Sequence, residues 1–143
     1  MHVFGFIACV MSAACMSARA EVTVKDAWVR ATVPQQKSTA GYMTLTSTAD
    51  AKVVGVSSPA AKIAEIHETR TKDGVTRMRA VDAIELPAGK AVVLEPGGLH
   101  VMLMALKSLV AAGDSLPIVL TIEERGRRTT VEVGAQARPP GAR

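Results

Sequence analysis

Pro96-Gly97-Gly98-Leu99-His100-Val101-Met102-Leu103-Met104-Ala105-Leu106 is the stretch whose reading decides the fold. Val101, Leu103 and Ala105 alternate with His100, Met102 and Met104, and this period of two puts the first set on one face of a strand and the second on the other. Pro96-Gly97-Gly98 supplies the fixed φ and the tolerance of positive φ that a turn needs before the strand. Outward from it, β-branched alternating runs at 22–33, 41–48, 52–57, 62–70, 75–82, 90–95, 116–124 and 128–133 give further candidate strands. The turn signals between them include Pro34-Gln35-Gln36, Ser58-Pro59, Asp73-Gly74, Pro87-Ala88-Gly89, Ala112-Gly113-Asp114 and Arg125-Gly126. No segment carries a long 3.6-residue period with caps. The expected fold is therefore all-β, a sandwich or barrel with little helix.

At 143 residues, 48% hydrophobic and 21% charged, the chain has the composition of one folded domain with a core of its own. Only 3% of residues are aromatic, too few for the stacking platforms that hold single-stranded nucleic acid. The formal charge is +4, and its Lys and Arg residues are dispersed apart from Arg125, Arg127 and Arg128. Dispersed charge reads as a solvated basic surface, so no nucleic-acid partner is expected.

Residues 3–16 form an apolar run shorter than the roughly 20 residues a membrane-spanning helix needs. Ala18-Arg19-Ala20 follows as an A-x-A cleavage pattern, so residues 1–20 read as a signal peptide and Glu21 as the mature terminus. A lipid anchor on Cys15, after Ser12-Ala13-Ala14, is the alternative processing. Cleavage at Ala20 removes Cys9 and Cys15 and leaves His67, His100, Met43, Met78, Met102 and Met104. A mature chain without thiols can use neither a disulfide nor a thiolate, and soft-metal chemistry falls to thioether sulfur. No membrane span is expected in it. The expected division is 21–134 as a β-domain and 135–143, with Pro139-Pro140-Gly141, as a flexible tail.

Of the residues that remain after cleavage, both histidines and three of the four methionines fall in two candidate hairpins. In the first, a two-residue loop at Asp73-Gly74 pairs His67 with Ala80 and Thr69 with Met78; a loop one residue earlier pairs His67 with Met78. Either register puts His67 and Met78 on one face, and Glu68 on the other. The second is expected to run from 91–95 through Pro96-Gly97-Gly98 into 99–106, with His100, Met102 and Met104 on a common face. Met104, Met43 and Trp28 have packing as their simplest role, since methionine commonly fills gaps. Two imidazoles and two thioethers nonetheless make a neutral N2S2 set, which favours Cu(I) over zinc or harder cations.

The spacing His67-x10-Met78-x21-His100-x-Met102 resembles the signature of the periplasmic copper chaperones called PCuAC. His67-Glu68-Thr69, Asp73-Gly74-Val75, Met78-Arg79, Leu86-Pro87-Ala88-Gly89 and Pro96–Met104 are similar too, as are Asp26-Ala27-Trp28-Val29-Arg30 and Ala40-Gly41-Tyr42. The resemblance implies a cupredoxin-like Greek-key β-sandwich or barrel that binds one Cu(I) through His67, Met78, His100 and Met102. It also implies a periplasmic metallochaperone whose acceptor is the CuA subunit of cytochrome c oxidase, alongside a Sco-type protein. Glu68 stands where some members carry a second Met, and the tail after Thr129 has neither His nor Met, so one copper per chain is expected.

Other functions compete with this one. A copper storage or resistance protein would use the same site, and a metal-free β-sandwich would use the His and Met residues as an apolar interaction patch. An enzyme is not expected: a blue-copper centre needs a cysteine, a Gly-x-Ser-x-Gly elbow is absent, and the N-terminal residue expected after cleavage is not histidine.

Overall fold

The computed structural model describes residues 19–142; the signal-peptide reading falls almost wholly outside them. Among the described residues, ten strands form a single sheet: β1 (Val22–Arg30), β2 (Ser38–Ser47), β3 (Ala51–Ser57), β4 (Ala61–Lys72), β5 (Val75–Ala80), β6 (Ile84–Leu86), β7 (Val92–Leu94), β8 (Leu99–Leu106), β9 (Ser115–Glu124) and β10 (Arg127–Arg138). The order is β5-β4-β8-β2-β1-β10-β9-β3-β6, with β7 also on β2. All pairings are antiparallel except β1 with β10. β3 packs against β4, so the sheet curls back on itself. The fold is all-β and cupredoxin-like, as expected.

Alternation builds the core. Val29, Met43, Leu45, Val53, Ile66, Val101, Leu103, Ile118, Leu120 and Ile122 point inward and are buried together. Burying such side chains stabilises the fold by about 1.5–3 kcal/mol each relative to exposure. Gly41 lies where β2 meets this core, and a Cβ there would come within 3.2 Å of Ile118 and 3.3 Å of Val29. The absence of a side chain lets the strands close.

Three local features depart from expectation. The first is a β-bulge in β1, where Asp26 has φ of 53° and the register against β2 shifts between Lys25 and Trp28. One extra residue exchanges the faces of everything after it. Val22 and Val24 lean on the core, then Ala27 and Val29 do, and Trp28 turns outward. Trp28 and Met43 are both buried, as expected of packing residues, Trp28 with its ring against Tyr42 and Met43 within the central cluster.

The second concerns the stretch 91–106, which is not a hairpin. β7 and β8 run in the same direction, one after the other, along a single edge of β2. Pro96-Gly97-Gly98 is an excursion between them, and it releases the start of β8 to pair with β4. The third is β10, which continues through 135–138, where a flexible tail was expected. Ala135 and Ala137 are buried, and Gln136, Ala137 and Arg138 pair in parallel with Trp28, Val29 and Arg30. Two small apolar residues at a spacing of two face the core, and backbone hydrogen bonds of Ala137 with Gly113 and Asp114 and of Arg138 with Ala31 fasten the strand end. The short strand β6 was not anticipated.

Candidate metal centre

β4 and β8 bring the two histidines together. Asp73 and Gly74 have φ of 53° and 75°, the two-residue hairpin geometry that sets the register of β4 with β5. His67 therefore faces Ala80, and Thr69 faces Met78. Across the other edge of β4, His67 lies directly opposite His100 and Glu65 opposite Met102. Their ring centroids are 5.8 Å apart in an edge-on arrangement. His67, Met78, His100 and Met102 thus share the face of the β5-β4-β8 sheet turned away from the core. Met78 is diagonal to His67, and Met102 follows His100 by two residues.

A cavity of about 330 Å³ opens at this face, with Met78, His100 and Met102 in its lining, together with Tyr42, Arg30 and the Pro96-Gly97 loop. His67 does not line it and lies beside it, with its ring against that of His100. Met104 lies further along the same face, opposite Ile63 on β4 and Ser38 on β2, and does not line the cavity.

The hydrogen bonds of the imidazoles are informative. His100 Nδ1 lies 3.1 Å from the Gly98 carbonyl oxygen, and its Nε2 is buried without a partner. His67 Nε2 lies 2.8 Å from Glu65 Oε2, and its Nδ1 is buried without a partner. When one ring nitrogen donates to a carbonyl or carboxylate, the other carries the lone pair. Buried polar atoms left unpaired are uncommon and costly. Here one such nitrogen is on His67 and one on His100. A metal-bound histidine has this same pattern, one nitrogen held by an oxygen and the other free to coordinate.

Burial pushes the His100 pKa down, opposed by the Gly98 carbonyl and assisted by His67 and Arg30. The lowered pKa favours the neutral ring, the form able to bind a metal ion. Tyr42 sits between Trp28 and His100, with centroid separations of 4.7 and 6.2 Å. Arg30 lies 5.5 Å above the Tyr42 ring, and burial raises the Tyr42 pKa against the lowering influence of that cation. Glu68 points to the opposite face, as alternation requires. Its carboxylate accepts hydrogen bonds from Arg79 and ion-pairs with Arg70, and both hold its pKa down.

No group of three His, Cys, Asp or Glu residues suited to a metal ion occurs among the described residues. Besides the two imidazoles, this face offers the thioethers of Met78 and Met102. Two neutral imidazoles with two thioethers suit a soft, low-charge cation and disfavour a hard one. Sequence reasoning missed Glu65, which lies two residues before His67 and so on its face. It also missed the Gly98 carbonyl, whose position depends on the fold of the excursion before β8.

The family model described as "Putative lipoprotein LpqE-like" matches residues 22–135, and the chain belongs to that family. It is 38% identical over 104 residues to a protein of Leifsonia xyli subsp. xyli named "Putative lipoprotein Lxx21020". That match covers 72% of this chain and 63% of the relative, so the chain spans under two thirds of the relative's length. Among solved structures, the copper-bound PCuAC domain from PmoF2 superposes with a TM-score of 0.68 at 24% identity, covering 83% of this chain and 93% of that one. The solution structure of CuI-DR1885 from Deinococcus radiodurans gives 0.62 at 32% identity, over 80% and 76%.

Proposed function

We propose that this member of the LpqE-like family is a Cu(I)-binding metallochaperone of the cell envelope. In this reading one Cu(I) is held by His67 Nδ1, His100 Nε2 and the sulfurs of Met78 and Met102. The observation that carries it is the pair of buried, unpartnered ring nitrogens on facing histidines, each fixed from its other nitrogen by an oxygen. The likeness to CuI-DR1885 supports the choice of metal. Four neutral donors keep Cu(I) without the strong grip of a thiolate, which suits an ion meant to be handed on.

Copper here is cargo. His100 and Met102 form the fixed side of the site on β8, Glu65 and Gly98 hold the two rings in their binding tautomers, and Met78 closes the site from β5. The acceptor we propose is the CuA subunit of cytochrome c oxidase, with a Sco-type protein as a second participant. The location we propose is the periplasm, with 1–20 as the export signal, and the lipoprotein names of its relatives support an envelope location. X-ray absorption of the Cu(I)-loaded protein should show two nitrogen and two sulfur neighbours. Incubation of two equivalents with a reduced soluble CuA domain, followed by one-electron oxidation with ferricyanide, should then develop the mixed-valence CuA absorption. An all-nitrogen environment would refute the ligand set, while tight binding without transfer would leave storage as the function.

A further inference from the structure

The sequence scatters its basic residues, but the β4–β5 hairpin gathers four of them. Arg70 faces Arg77, Lys72 faces Val75, and Glu68 faces Arg79, all on the side of the hairpin opposite Met78. This side continues the core-facing side of β4 past Ile66, where no other strand covers it. β5 is the edge of the sheet and is exposed along its whole length. Glu68 takes up part of the charge of Arg70 and Arg79. Lys72 and Arg77 are exposed and, among the described residues, make no ion pair. Exposed Val75 adds an apolar contact. A groove of about 670 Å³ runs over these side chains and reaches Met78.

We propose that this groove docks an acidic protein surface, that of the partner exchanging copper with the chain. The argument rests on the Cu(I) reading for the role of Met78 but not for the docking itself. Four cations against the carboxylates of Glu68 and Asp73 leave the hairpin positive, and complementary charge steers encounter and fixes orientation. A partner seated there meets Met78, the most exposed of the four donors at 53%, before it meets His100 at 3%. Ligand exchange then begins at the thioether on the sheet edge and proceeds inward.

The test uses metal-free protein and a fluorescein-labelled peptide of alternating Glu and Met residues, with an alternating Ser and Met peptide as control. Fluorescence anisotropy at low salt should show at least about tenfold tighter binding of the acidic peptide, a preference lost at high salt. A Lys72→Glu/Arg77→Glu double variant should abolish the preference. Lys25→Glu/Lys90→Glu, the same charge change on exposed residues outside the groove, should preserve it. Equal loss in both double variants, no preference in the wild type, or binding to phosphatidylglycerol vesicles in place of the peptide would each overturn the proposal. Because no metal is present, docking that persists in a protein found not to bind Cu(I) would refute the metal reading alone.

Discussion

β8 and β5 each carry part of the candidate site, and they are opposites in every physical respect. β8 lies between β4 and β2, with Val101 and Leu103 fully buried on one face and His100 nearly so on the other. β5 has a neighbour on one side only and no buried residue. One half of the site is thus built into the barrel and the other hangs from its edge. For the copper carrier proposed above, the contrast separates retention from release: the interior half fixes geometry, and the edge half is the part open to a partner.

The largest effect that would break this comparison is on stability. Leu103→Ala should cost about 2–5 kcal/mol, as buried large-to-small changes do. Met78→Ala should stay within about 0.5 kcal/mol, as exposed changes do. Urea unfolding of both variants measures the difference, and similar losses would mean that β5 is part of the cooperative core. Cu(I) affinity should divide the same way. His100→Ala should weaken binding by more than about a hundredfold, beyond what loss of a supporting contact costs. Met78→Ala should weaken it by about tenfold, less than any loss from β8, in competition with a chromophoric chelator.

Glu65→Gln sharpens the account of His67. The amide can still accept from Nε2 but carries no charge, so affinity should fall by up to about tenfold while the urea midpoint holds. The smallest effect is on the pH dependence of the metal-free protein. His100 has its pKa lowered in the fold from the ordinary 6.5, so the unfolded chain binds the proton that the folded chain refuses. Stability from this residue is present above about pH 6.5 and declines as pH falls below it. Urea midpoints at pH 7.5 and 5.5 should differ, and less so in His100→Phe.

What could be read from the sequence was local. Asp73-Gly74 fixes a two-residue turn, and the turn alone gives His67 opposite Ala80 and Met78 on the same face. Alternation in 99–106 gives the faces of His100 and Met102. The juxtaposition of His67 with His100 is different, because β4 and β8 are brought together by the excursion at Pro96-Gly97-Gly98, and no local pattern announces which strand a released segment will join. The face that Trp28 takes was not legible for a similar reason. One positive-φ residue, Asp26, inverts the pattern after it, and an Asp in a strand is a faint signal. The extension of β10 depends on β1, more than a hundred residues away, and Pro139-Pro140 drew the boundary too early. The family spacing supplied four residues at once, but Glu65 and Gly98, which hold the rings, came from the geometry.

The most direct test of the central claim is an anaerobic Cu(I) titration of the purified protein against a chromophoric competitor, with Met102→Ala and His100→Ala in parallel. The account predicts one tightly bound equivalent in the wild type and clear weakening in both variants. Failure of the wild type to compete would contradict it and return His67, Met78, His100 and Met102 to the role of packing residues.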